Sequence, residues 1–134
     1  MNCVLDACAM IAFLRGEAGA DVVRGILSDP ANVIYAHAIN LCEVYYDFLR
    51  AADENTARNA LRDLTSLGIR RRRDMSDAFW MGVGRLKGEI RRVSLADCFA
   101  IELALRLNAH VVTSDHHEFD SIKANRVCSV LFIR

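Results

Sequence analysis

A chain of 134 residues that is 53% hydrophobic can bury a sizeable core, and residues 1–134 are read as one domain. Its 17 lysines and arginines balance its 17 aspartates and glutamates, which excludes a global field drawing it to nucleic acid or membrane and leaves only local clusters to do so. Five cysteines without a CxxC pair, no basic leader before a long apolar run and no stretch of membrane-spanning length predict a reducing, cytoplasmic setting with no membrane contact.

Asn2-Cys3-Val4-Leu5 is a short apolar strand that runs directly into Asp6. Met10, Ile11, Phe13 and Leu14 then space a short helix that stops near Gly16, and Val22, Val23, Ile26 and Leu27 space a second, punctuated by Asp29-Pro30. Val33-Ile34-Tyr35-Ala36 reads as the second strand, followed by Asn40-Leu41-Cys42-Glu43 and a long helix with Leu41, Val44, Tyr45, Phe48 and Leu49 on one stripe. Ala57, Leu61, Leu64 and Leu67 mark the next helix, capped by Gly68, and Ile69 opens an arginine-rich strand. Met75, Phe79, Val83, Leu86 and Ile90 predict a helix interrupted by Gly82, Gly84 and Gly88, and Ser94-Leu95-Ala96-Asp97 opens the most apolar helix. His110-Val111-Val112-Thr113 is a fourth strand ending at Ser114-Asp115, and residues 127–133 a fifth. Alternating strands and helices predict an α/β/α sandwich with a central parallel sheet of about five strands.

Asp6, Glu43, Asp97 and Asp115 each fall just past a strand or in the first turn of a helix, positions that gather at the carboxyl edge of a parallel sheet, where such folds bind ligands. Taken singly, each acid is a helix cap: Asn40-x-x-Glu43 and Ser94-x-x-Asp97 have capping-box spacing, and Asp6 and Asp115 suit helix N-termini. Taken together they need a counter-charge, because two carboxylates ~5 Å apart repel by roughly 3 kcal/mol at an effective dielectric of about 20. A hard cation, Mg²⁺ or Mn²⁺, resolves that repulsion and supports phosphodiester hydrolysis. Asp6, Glu43, Asp97 and Asp115 are therefore the candidate metal-binding and catalytic residues.

Leu5-Asp6, Glu43 after the second strand, Ser94-Leu95-Ala96-Asp97 and Thr113-Ser114-Asp115 with Phe119 resemble, in order and spacing, the PIN-domain nucleases, especially VapC-like toxins. The resemblance implies an α/β/α sandwich, a metal-dependent endoribonuclease acting on RNA, a homodimer and a cognate antitoxin, with Thr113 and Ser114 as polar support for the fourth acid. The family often places a small hydroxyl residue just after the first acid, where this chain has Ala7-Cys8. Asp120 is a candidate fifth, outer acid or a solvent-facing loop residue.

Arg70, Arg71, Arg72 and Arg73, with Arg91 and Arg92, are the basic clusters, candidate RNA phosphate contacts or a solvated edge. His116-His117 reads as a surface loop, Cys8, Cys42 and Cys98 as packed small residues, and Tyr45, Tyr46, Phe79 and Trp80 as core or dimer interface. The alternative function is a catalytically degenerate PIN-like module that binds RNA or protein. A receiver domain needs an acceptor Asp after its third strand, where this chain has arginines, and a haloacid-dehalogenase-type phosphatase needs Asp-x-Asp where it has Asp6-Ala7-Cys8.

Overall fold

The computed structural model describes residues 1–134. Five parallel strands, β1 (Asn2–Leu5), β2 (Val33–His37), β3 (Arg70–Arg72), β4 (His110–Thr113) and β5 (Ser129–Phe132), lie in the order β3-β2-β1-β4-β5. Helices α1 (Ala7–Arg15), α2 (Ala20–Ser28), α3 (Ala38–Ala51) and α4 (Glu54–Ser66) follow β1 and β2, and α5 (Asp77–Glu89), α6 (Leu95–Leu107) and α7 (His116–Ala124) come after β3.

The central strand β1 is apolar on both sides because it is covered on both sides. The pleat sends Cys3 and Leu5 into one cluster with Met10, Val23, Leu41, Val44 and Leu64, and Val4 into another with Phe79, Phe99, Leu103 and Phe119. These clusters are the two interlayer cores of a three-layer α/β/α sandwich. The chain turns outward in one direction after β1 and in the other after β4, so the carboxyl ends of these neighbours form the switch point where a crevice opens.

Local chemistry fixes the element ends. Asp6, Asp53, Ser76, Ser94 and Asp115 cap α1, α4, α5, α6 and α7 through side-chain oxygens that accept backbone N–H bonds. His37 caps α3: its Nδ1 accepts from Ile39 N, so Nε2 carries the proton and donates to the Asp74 carbonyl at 2.9 Å. Buried between Phe79 and Phe99, this ring ties the end of β2 to the loop before α5. Gly19, at φ 93°, passes so close to Ile133 that a Cβ would sit 2.8 Å from its carbonyl oxygen.

Several boundaries differ from the sequence expectation. Helix α3 begins at Ala38, so Asn40 lies inside it and the Asn40-x-x-Glu43 capping box does not form. The last strand is Ser129–Phe132, shorter than the apolar run. The segment read as a loop around His116-His117 is helix α7, whose short buried stripe is only Phe119 and Ile122. No helix is long and apolar enough to cross a membrane.

Candidate metal centre

Asp6 enters the site because β1 ends under the sheet edge and the chain turns at once into α1. Its carboxylate is fully buried and divided in use: Oδ1 accepts from Ala9 N at 2.8 Å, while Oδ2 has no hydrogen-bond partner. Burial pushes its pKa from 3.8 up to about 7, with Asp115 and Glu43 adding to the rise. Ala9 N–H and the neighbouring Thr113 hydroxyl pull the other way, but that hydroxyl does not meet the geometry of a bond to Oδ2.

The other acids arrive from three helices. Glu43, on the second turn of α3, is half-buried, and burial raises its pKa against the opposing Asn40 amide. Asp97 sits at the third position of α6, its N–H donating to the Ser94 hydroxyl at 3.2 Å. In a capping box the residue at that position reaches back to the cap N–H. Here Glu118 of α7 takes that bond, accepting from Ser94 N at 3.1 Å, and the Asp97 carboxylate is left to face the cleft. Asp115 caps α7 through Oδ1, which accepts from Glu118 N at 3.1 Å, and its own N–H donates to Thr113 Oγ1 at 3.0 Å. Thr113 is buried and Ser114 half-buried between β4 and this cap.

Asp97, Asp115 and Glu118 each bring a carboxylate oxygen within 4.8 Å of the others. Opposite ligands of an octahedral Mg²⁺ are about 4.2 Å apart at bond lengths of about 2.1 Å, so small rotamer changes would seat one ion. Burial, a hydrogen bond to Glu118 and the charge of Asp6 raise the pKa of Asp97. Burial alone would raise Glu118 too, but its interactions with Asp97 and with Ser94 outweigh it and its pKa falls.

The cleft holds about 260 Å³ and is lined by Glu43, Asp47, Asp97, Asp115 and Glu118, with Cys8 and Tyr46 and with no lysine or arginine. Asp47 is held aside by Arg15 at 2.7 Å. The remaining acids form a donor set of oxygens that suits a hard divalent cation, and the buried Asp6 Oδ2 is a further carboxylate oxygen without a partner. Of the four acids expected from the sequence, Glu43, Asp97 and Asp115 line one crevice, whereas Asp6 is fully buried and outside the lining, its pKa raised further by the charges of Asp115 and Glu43.

Glu118 escaped the sequence reading, which looked to Asp120 for an outer acid; Asp120 is exposed and bonded to His116 at 2.8 Å. The signal was present as Asp115-x-x-Glu118, a cap and its third-position acid, once α7 is allowed. Cys98 is buried as expected, whereas Cys8 and Cys42 are exposed, and Cys8 lines the cleft. Although the residue is open to solvent, desolvation of its thiol in the cleft wall and the surrounding acids push Cys8 up to about 12, which keeps it neutral. Phe79 is core, and Trp80 is exposed.

The arginine run is divided by the pleat. Arg72 pairs with Asp74 at 2.8 Å and lies over the Tyr35 ring, while Arg71 and Arg73 line the opposite face beside α3. Arg91 and Arg92 are exposed in the turn after α5, a turn held by Lys87 Nζ donating to the Arg91 and Val93 carbonyls.

Comparison with known proteins bears on this geometry. The model of the PIN-domain family matches residues 3–125. No curated protein matches the chain. Among solved structures, VapBC-1 from nontypeable Haemophilus influenzae is 19% identical and covers 99% of this chain and 98% of its own, with a TM-score of 0.73. DNA-bound VapBC from Salmonella typhimurium is 16% identical over 100% of this chain and 99% of its own, at a TM-score of 0.75. VapC20 from Mycobacterium tuberculosis, a toxin that cleaves the Sarcin-Ricin loop, is 16% identical over 89% and 94%, at 0.69. At these identities the likeness is one of fold.

Proposed function

The chain belongs to the PIN-domain family, and from that premise we propose that it is a Mg²⁺- or Mn²⁺-dependent endoribonuclease, the toxin of a toxin–antitoxin pair. The observation that carries the proposal is the crevice in which Asp97, Asp115 and Glu118 converge with no lysine or arginine in its lining, together with the unpartnered buried Oδ2 of Asp6, whose charge raises the pKa of Asp97. A group of acids serving only as helix caps has no reason to leave one buried oxygen orphaned.

Asp97, Asp115 and Glu118 would hold the cation, with Glu43 lining the same cleft and the buried Asp6 as a further acid ligand of the proposed site. A cation bound there supplies activation of water and offset of charge on the phosphorane-like transition state. The chain's own residues set the stage. Thr113 and the α7 cap fix Asp115, and the Ser94 hydroxyl with Glu118 fixes the first turn that carries Asp97. Asp6 and Asp97, both disposed to hold protons, would have to give them up for a cation to be held there. Cys8, where the family often has a hydroxyl, adds no charge to the donor set.

The neighbours from Haemophilus influenzae and Salmonella typhimurium are VapBC structures, and one from Klebsiella pneumoniae is a toxin–antitoxin complex, which supports a cognate antitoxin as partner. The exposed Met75, just before α5, and Trp80 and Met81 in its first turns support a homodimer, since such surface is commonly buried between copies. Incubation of the purified chain with total RNA tests the activity: discrete cleavage with Mg²⁺ or Mn²⁺ and none with EDTA is expected. Binding without cleavage under all metals would instead favour the degenerate RNA-binding module.

A further inference from the structure

Outside the metal centre, the strongest concentration of charge lies on the far side of α3. Arg58 and Arg62 stand one turn apart on α4, and Arg71 of β3 and Arg73 just past its end line the same hollow. Two adjoining hollows of about 470 and 330 Å³ share Leu61 and Arg71 and together carry all four guanidinium groups, with no aspartate or glutamate in the lining. In a chain with no net charge this is a local field of one sign. All four arginines are exposed. Arg58 has an exposed partner in Glu54 at 3.0 Å, Arg62 reaches only the Asn59 amide oxygen and Arg71 only the Leu61 carbonyl, so their charge is largely uncompensated. Ala38, Leu41 and Tyr45 give the groove an apolar wall.

The groove and the metal centre are neighbours across one helix. Cys42 and Tyr45 of α3 line the groove, while Glu43, Tyr46 and Asp47 line the acidic cleft. Successive helical residues differ by about 100° in direction, so the two openings flank one exposed ridge of α3.

The geometry points to this groove as a binding site for the phosphodiester backbone of single-stranded RNA: Arg58, Arg62, Arg71 and Arg73 hold the strand away from the scissile bond while it crosses α3 to reach the acids. The reading of the chain as a ribonuclease identifies the polyanion as RNA; the groove's affinity does not depend on it. The charge logic favours a polyanion because the acidic cleft repels phosphate, and an arginine groove supplies the missing attraction without sequence preference. Planar guanidinium groups suit phosphate oxygens, and the apolar wall with the Tyr45 ring suits an unpaired base.

The test is fluorescence anisotropy with a labelled single-stranded RNA in EDTA, where no metal contributes and no strand is cut, across a series of salt concentrations. R62Q/R73Q should weaken binding about tenfold and flatten the log–log salt slope by about 1.4, at about 0.7 per lost phosphate contact. The charge-matched control R85Q/R126Q, with both residues outside the groove, should bind as wild type. Unchanged binding by R62Q/R73Q, including the case in which the groove takes only an acidic peptide, would overturn the proposal. So would an equal loss in the control, which would mean that affinity follows overall charge. Melting temperatures of both variants show whether they are folded. Because the assay needs neither metal nor cleavage, a failed ribonuclease reading would leave RNA binding in this groove intact, and a failed groove would leave metal-dependent cleavage intact.

Discussion

Replacing Asp6 with Asn should stabilise the metal-free protein, and by more as the pH rises. The Asp6 carboxyl is fully buried and its pKa stands at about 7 in the fold against 3.8 as the ordinary value. The folded state therefore keeps a proton that the unfolded chain loses, and stability falls as pH climbs from about 4 to about 7. At about 1.36 kcal/mol per pH unit, the full cost above that window is about 4 kcal/mol, of which roughly 1.6 kcal/mol is already present at pH ~5. Asn does not titrate, and its amide oxygen can still accept from Ala9 N to cap α1. Any constant cost of the amide cancels when two pH values are compared. Urea unfolding in EDTA should show the stability gap between Asp6→Asn and wild type widening by about 2.5 kcal/mol from pH ~5 to pH ~8, equivalent to about 8–10 °C in Tm. Parallel pH profiles for the two proteins would refute the reasoning, because Asp6 would then be ionised without cost.

The same protons compete with metal, so Mg²⁺ or Mn²⁺ should raise the melting temperature more at pH ~8 than at pH ~5.5; differential scanning fluorimetry showing an equal rise at both would count against a carboxylate centre. Glu118→Gln should lower cleavage by at least about tenfold, since it removes both a donor oxygen and the charged partner of Asp97, and a single-turnover assay at the wild-type rate would return Glu118 to a purely capping role. Gly19→Ala should cost about 2 kcal/mol or more, from the left-handed backbone and the close Ile133 carbonyl. Denaturation at the wild-type midpoint would show that the end of the chain yields freely.

Strand and helix order was legible because a parallel sheet buried on both faces writes itself as short apolar runs, and Cys3-Val4-Leu5 and Val111-Val112 are such runs. Asp6, Glu43, Asp97 and Asp115 were legible as acids at element junctions, and the sheet order brings Glu43, Asp97 and Asp115 to one crevice while Asp6 stays buried at the end of β1. Helix α7 was not, because two buried side chains make too short a stripe to compete with a polar surround, and Glu118 was lost with it. The four consecutive arginines read as one patch because sequence proximity hides the pleat; only the register Ala36 to Arg71 and His37 to Arg72 sends alternate members to opposite faces. Arg58 and Arg62 join Arg71 through packing of α4 beside β3, a contact that no local spacing records.

The central claim is that these carboxylates form a metal centre that cuts RNA, and the rate of RNA cleavage as a function of Mg²⁺ concentration, in wild type and Asp97→Asn, tests it most directly. Asn keeps the shape of Asp97 and leaves the Ser94 cap in place, because that cap is bonded through the residue 97 N–H. Wild type should cleave with saturable Mg²⁺ dependence, while Asp97→Asn, folded and at least as heat-stable without metal, should be slower by at least about 100-fold at limiting Mg²⁺. Cleavage by Asp97→Asn at the wild-type rate across that series would contradict the account and leave Asp97 as a helix-cap residue.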